Sequence, residues 1–203
     1  ELASVHFILG RNGGKTPQPD RDELEEHITN LTRSYGDWLA SLVDDPRSIA
    51  PYVNAFTIAY QEKYPYAAAL NDIEHFKQLD DDVKIGVRLD KHARRENAYS
   101  LKIYHRSTAI PLSARVPLLE NFGFTVVNER TYTVSPEDEE ERVLHDMTLK
   151  VAEFEGDLTE IAANIERAIK AVWYKEAEND GYNRLALFAA MSWDNIAIIR
   201  ALS

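Results

Sequence analysis

The sequence predicts an α+β protein: a ferredoxin-like antiparallel sheet with helices on one face, flanked by helical segments. Three observations predict it. Apolar residues recur at helical spacing from Asp20 to Leu79 and again from Leu158 onward. Between these stretches the period drops to two, as in "VKIGVRL" and "FTVVNERTYTV". From Tyr99 the order strand, helix, strand, strand, helix makes most of a split β-α-β unit.

Each element has its own signal. Residues 2–9 read as a strand followed by a glycine-rich turn. One long helix is expected from Asp20, since Leu24, Ile28, Leu31, Tyr35, Trp38 and Leu42 form one stripe ending near "DDPRS". A second begins at about Ser48, with Pro51 in its first turn and Tyr52, Phe56 and Ala59 on one side. Pro65 opens a third, striped by Ala69, Leu70, Ile73 and Phe76. Val83, Ile85, Val87 and Leu89 alternate as a half-buried strand, a candidate fourth strand of the sheet. Tyr99, Leu101, Ile103 and His105 share a face of the next. "PLSARVPLLENFG" is a short helix with Pro117 near its first turn and Gly123 as a left-handed cap. Two long strands, 124–134 and 142–154, flank the acidic loop "SPEDEEE". Asp157 and Glu160 announce a strong helix running to Trp173. Helical pattern resumes after Glu178, with a break near Ser192, which can cap the last helix. Both helices of the split unit are expected on one sheet face, leaving the other for water or a partner sheet.

Composition excludes several chemistries. With 203 residues, 44 % hydrophobic, the chain can bury a sizeable core. A net charge of −11 argues against nucleic acid as a partner. There is no cysteine, hence no disulfide, thiolate zinc site or thiol nucleophile, which fits a cytoplasmic protein. No apolar run approaches the roughly 20 residues that span a bilayer, so no membrane partner is expected. Glu1 is no initiator and "NIAIIRALS" ends without a helix stop, as expected of a piece of a longer polypeptide.

Motifs narrow the choice further. "FILGRNGGKTP" resembles a phosphate loop but is one residue short of the G-x-x-x-x-G-K pattern. Pro17, Gln18 and Pro19 also keep Lys15 and Thr16 from opening a helix. The histidines lack metal-site spacing; His105 and His145 lie on strands that can be neighbours, with a surface or interface role expected. The acidic loops lack the spaced ligands and central glycine of a calcium loop, and no Gly-x-Ser-x-Gly elbow occurs. Catalytic, cofactor-binding and metal-binding residues are therefore predicted to be none. The turn from Ser107 to Pro111, entering a helix, offers amides and hydroxyls suited to a small anion or amino-acid carboxylate. An ordinary strand-to-helix connection accounts for the same residues. "ENDGYN" reads as a hydrogen-bonded turn joining two helical units.

"SVHFILGRNGGKTPQPDRDELEEHI", "YPYAAALNDIEHF", "LKIYHRSTAIPLSARVPLLENFGFTVVNERTYTV", "HDMTLKV" and "AVWYKEAENDGYNRLALFAAMSWDNIAIIRAL" occur in that order over nearly the whole chain. Together they resemble the N-terminal regulatory half of the large bacterial NAD-dependent glutamate dehydrogenases. The resemblance implies a cytoplasmic parent that oxidatively deaminates L-glutamate to 2-oxoglutarate with NAD, its catalytic and nicotinamide-binding parts lying outside this segment. It also implies ACT-type modules, which often bind amino acids or pair through their sheets. On that basis residues 1–16 are the trailing strand of a preceding module plus a turn, 17–80 a helical segment, 81–177 an ACT-like domain, and 178–203 the start of a following helical segment. Effector-binding ACT modules often carry Pro-Gly at the strand-to-helix turn, whereas here Leu112 follows Pro111. This departure favours oligomerisation or contact with other domains or subunits of the same enzyme. The alternative is an amino-acid sensor, with Ser107, Thr108, Ile110 and Ser113 as the effector contacts.

Overall fold

A computed structural model describes residues 13, 20–93, 95, 97–152, 154, 156 and 158–203. The expected strand at 2–9, most of the Gly10–Thr16 turn and the Asp157 cap lie outside them. Two compact units divide at Ser34. In the first, helix α1 (Arg21–Thr32) is capped by the Asp20 carboxylate, which accepts from the Asp22 and Glu23 amides at 2.9 and 3.2 Å. The single helix expected from Asp20 to Leu42 is broken: the backbone turns extended at Arg33, and α2 spans Tyr35–Ala40. The Thr29 and Thr32 hydroxyls donate back to the carbonyls of Glu25 (2.7 Å) and Ile28 (3.0 Å), a local competition that weakens a helix end.

The second unit begins with α2. The helix expected from Ser48 is instead a short 3-10 turn, Pro46–Tyr52, followed separately by α3 (Ile58–Lys63). Pro51 inside the turn cannot donate an amide, and the chain beyond it is drawn to the sheet. Phe56 bridges Val134 in antiparallel fashion, and the Ser135 amide donates to the Ala55 carbonyl at 3.0 Å. Helix α4 (Tyr66–Lys77) follows Pro65 as expected.

Strands β1 (Ile85–Lys91) and β2 (Tyr99–Arg106) lead to α5 (Leu112–Asn121), β3 (Phe124–Val134), β4 (Arg142–Val151) and α6 (Leu158–Trp173). All strand pairs are antiparallel, in the order β1-β2-β4-β3. The fourth strand of this ferredoxin-like sheet is therefore β1, contributed from before the split unit. Pro117 lies beyond the first turn of α5 rather than in it, so residue 117 has no amide to offer the Ser113 carbonyl. Gly123 closes that helix at φ +91, its amide donating to the Glu120 carbonyl at 2.9 Å. A Cβ there would stand 2.8 Å from a Phe188 ring carbon. Gly123→Ala is expected to cost more than about 1 kcal/mol, read as a lowered urea midpoint with an unchanged slope. Beyond α6 come a 3-10 turn (Gly181–Arg184), α7 (Leu185–Phe188) and α8 (Trp193–Leu202). Ser192 occupies the N-cap position of α8 but makes no capping hydrogen bond.

Two cores flank the sheet. On the first face Val87, Leu101, Ile103 and Met147 pack with Leu119 of α5, Ile165 and Ile169 of α6, and Leu187 and Ile196 from the last helices. The second face was expected to stay free for water or a partner sheet, and it does not. Tyr104, Tyr132, Val134 and Leu144 point that way and are 0–4 % exposed, covered by Leu39, Ile49, Tyr60, Ile73 and Phe76 of the helical segment. So apolar a face must be buried, and the chain's own helices bury it.

Strand β3 serves both cores. Phe124 and Val126 pack on the first face, whereas Tyr132 and Val134 belong to the second. These four positions share one parity, so a regular strand would send them to the same side. The register shifts between Val126 and Asn128, opposite Leu149 and Thr148, leaving Val127 as a bulge. Past it, Glu129 and Thr131 turn to the first face.

Candidate functional site

The strand-to-helix turn sits on a buried polar network. Ser107 adopts φ +69, its amide donating to the Glu141 carbonyl at 2.9 Å and its hydroxyl facing a Glu140 carboxylate oxygen at 3.4 Å. The Thr108 carbonyl lies 2.7 Å from His105 Nδ1. Ser107, Thr108 and Ser113 are exposed, but Ile110 is buried in the first core. The Ile110 amide donates to His145 Nε2 at 3.0 Å, and its carbonyl accepts from Arg115 Nε at 2.8 Å. Both backbone groups that a ligand at this turn would seek are thus occupied from within.

Because Nε2 accepts, the neutral His145 ring carries its proton on Nδ1, 2.9 Å from the Thr131 hydroxyl. That hydroxyl donates onward to Glu129 Oε1 at 2.6 Å, which also accepts from Arg115 Nη1 at 2.8 Å. Burial, then the Arg115 charge, pushes the imidazole pKa down to about 4. Burial alone would raise the Glu129 carboxyl; Thr131 and Arg115 outweigh it and hold the pKa below the usual range. The expected surface or interface role of His145 is corrected: at 0 % exposure it is an internal strut. Alternation across "NERTYTV" conceals Glu129 and Thr131 as its partners, because the bulge at Val127 resets their phase.

A second polar node joins the helical segment to the sheet. Asp72 of α4 is 1 % exposed. Its carboxylate accepts from Lys102 Nζ at 2.7 Å to each oxygen, from the Tyr60 hydroxyl at 2.6 Å and from the Tyr104 hydroxyl at 2.7 Å. These bonds come close to filling its acceptor capacity. Burial and then the Asp72 charge push both phenols well above their ordinary pKa, so they stay protonated donors. The sequence carried a signal for this node: Asp72 lies inside the apolar stripe of Ala69, Ile73 and Phe76, where a solvated acid has no place.

Register lays three rows across the strands on this second face. Gly86, Tyr104, Leu144 and Tyr132 form the row under the helices. Arg88, Lys102, Asp146 and Arg130 form the next, and Asp90, Ser100, Thr148 and Asn128 the outermost. Over the polar rows opens a cleft of about 410 Å³, walled by the Lys63–Pro65 connection and by residues 91–93. Asp146 accepts a hydrogen bond from the Tyr64 hydroxyl and another from Ser100 Oγ at 3.3 Å. Among the described residues no cluster suited to a metal ion occurs, and no helix is long and apolar enough to cross a membrane.

Comparison with known proteins agrees with this architecture. Residues 84–161 match the model described as glutamate dehydrogenase, ACT3 domain, and residues 47–79 the one described as glutamate dehydrogenase, helical motif 2. The NAD-specific glutamate dehydrogenase of Halomonas elongata is 32 % identical over 209 residues, covering 98 % of this chain and 13 % of that protein. That of Pseudomonas aeruginosa is 29 % identical with the same coverage. The Mycobacterium tuberculosis enzyme of the same description is 24 % identical over 223 residues, covering 98 % of this chain and 14 % of its own length.

Proposed function

Because the chain belongs to the NAD-specific glutamate dehydrogenase family, we propose that it is a non-catalytic brace within an enzyme oxidising L-glutamate to 2-oxoglutarate with NAD. Its own task is contact with other domains or subunits of that enzyme, holding them in register. NAD binds elsewhere in the parent, and this segment contributes no catalytic residue. One observation carries the reading: helices α2–α4 and the sheet share a core and the Asp72 carboxylate, which makes them one stiff body. The sheet face once expected to seek a partner is already buried, so assembly uses other surfaces. Exposed Phe188, Ile198 and Leu202 on the last two helices supply apolar area for it.

The alternative, an amino-acid sensor at Ser107, Thr108, Ile110 and Ser113, requires the Ile110 amide to leave His145 before it can meet a carboxylate. A ligand that binds only the folded state must raise the melting temperature. Uncharged amino acids at millimolar concentration are expected to leave it unchanged. A saturable rise that Ser107→Ala with Thr108→Ala abolishes would establish the sensor and displace the brace.

A further inference from the structure

Strand β1 is an edge of the sheet: β2 pairs with one side of it, and among the described residues no strand pairs with the other. An open edge leaves every second amide and carbonyl unpaired and invites another strand. On β1 the outward amides belong to odd-numbered residues. The Leu89 amide donates to Glu166 Oε1 at 2.8 Å, and the Ile85 amide to the Tyr174 hydroxyl at 3.3 Å. The same hydroxyl accepts from the Lys84 amide at 2.8 Å. Glu166 lies on α6, and Tyr174 follows that helix directly, about two turns further along. One helix thus lays two side-chain acceptors along the edge, where a neighbouring strand would put its carbonyls. The opposite edge is blunted as well: β3 carries the Val127 bulge, and the Asn128 side chain accepts from the Glu129 amide at 2.8 Å.

The β1 edge is also complementary to a copy of itself. Antiparallel pairing about a two-fold axis at Val87 sets Leu89 opposite Ile85 of the second copy, and Asp90 opposite its Lys84. Apolar side chains then meet on the first face of the sheet, and an acid meets a base on the second. Arg88 falls opposite Gly86, which has no side chain to crowd it. In this register the Leu89 and Ile85 amides, on either side of the axis, would donate across the pair. They are the two amides that Glu166 and Tyr174 occupy.

We infer that Glu166 and Tyr174 plug the β1 edge, and that the interaction they withhold is antiparallel pairing of β1 with the β1 of a second copy of this chain. The plug holds the sheet at four strands and leaves contact with other domains or subunits to surfaces outside the sheet edge. The inference stands apart from the brace reading, which rests on Asp72 and the second core and is unaffected if the edge proves open.

The chain has no cysteine, so Lys84→Cys with Asp90→Cys reports this register under mild oxidation. Within one chain the two positions lie about 20 Å apart along extended backbone, too far to bridge. Across the pair they would stand about 4.5 Å apart, within reach of a disulfide. With the plug intact, little cross-linked dimer is expected. Adding Glu166→Ala and Tyr174→Phe should raise its yield about ten-fold or more, since the freed amides regain partners across the pair. Glu166→Gln with Tyr174 intact keeps an acceptor for Leu89 and should leave the yield low. Lys84→Cys with Arg88→Cys, positions that this register does not oppose, should cross-link little in either background. Circular dichroism verifies the fold of each variant. Glu166→Ala alone, at low concentration, should speed deuterium exchange of the Leu89 amide, a readout that does not depend on the double variant. Equal cross-linking with and without the plug, none in the folded variant that lacks it, or unchanged Leu89 exchange would each overturn the inference.

Discussion

Asp72→Ala is expected to destabilise the protein by about 3–5 kcal/mol, the cost of stranding a buried charge. The Lys102 ammonium, 13 % exposed, would lose its counter-charge, and two phenols their acceptor. Against a typical net stability of about 5–15 kcal/mol this brings a domain near its threshold. Adding Lys102→Met should restore part of the loss, because a buried ion pair replaced by apolar groups is often close to neutral. Urea denaturation of the two single variants and the double variant measures both quantities. A loss below about 1 kcal/mol for Asp72→Ala is what an exposed pair would give, and it would show that the helical segment is not anchored through this carboxylate.

His145 should make stability fall as the solution is acidified. Its pKa in the folded chain is about 4, below the ordinary 6.5, so the unfolded chain takes up the proton first. The stabilisation is complete above the unfolded value and is lost as pH drops through the window from 6.5 to about 4. The loss amounts to about 3 kcal/mol. Structurally, a proton on Nε2 opposes the Ile110 amide and brings a second positive charge beside Arg115. His75 is also held below its ordinary value, by burial first and Arg88 next, and adds a slope of the same sign. Comparison with His145→Gln isolates the contribution of His145. Glutamine can still accept from Ile110 and donate toward Thr131 but cannot titrate, so its stability profile should be flatter by that amount between pH 7 and 4. Parallel profiles for the two proteins would mean that the ring is accessible to protons in the folded state.

Much of the architecture was legible because period follows burial. Val87 and Leu89, or Leu101 and Ile103, alternate where one side of a strand meets α6, and the α6 stripe is wide because the core on that face is wide. Legibility failed where one segment serves two masters. The stripe from Leu24 to Leu42 is continuous in sequence, but backbone-seeking threonines weaken the end of the first helix and the chain turns extended at Arg33. Tyr52 and Phe56 carry helical spacing although Phe56 is held by a bridge to Val134, a contact far along the chain. Of the candidate turn, Ser107 to Ser113, the location between strand and helix was readable. Its link to His145 was not, because that depends on the β2–β4 register and on a phase shift in β3. Asp72 was within reach of inspection, as an acid amid apolar neighbours; its partner Lys102 required the topology.

The bulge at Val127 gives the middle of β3 one residue more than the stretch of β4 opposite it. Loss of one residue between Val126 and Tyr132 would therefore let the strand run regularly, with Phe124 and Val126 still in the core under α5 and α6 and Tyr132 and Val134 still in the core under α3 and α4. A further inserted residue has no such outlet, since β4 already faces one residue too many. Length in this strand is thus open to shortening by one and closed to growth, while the connection between β1 and β2 has room to vary in length.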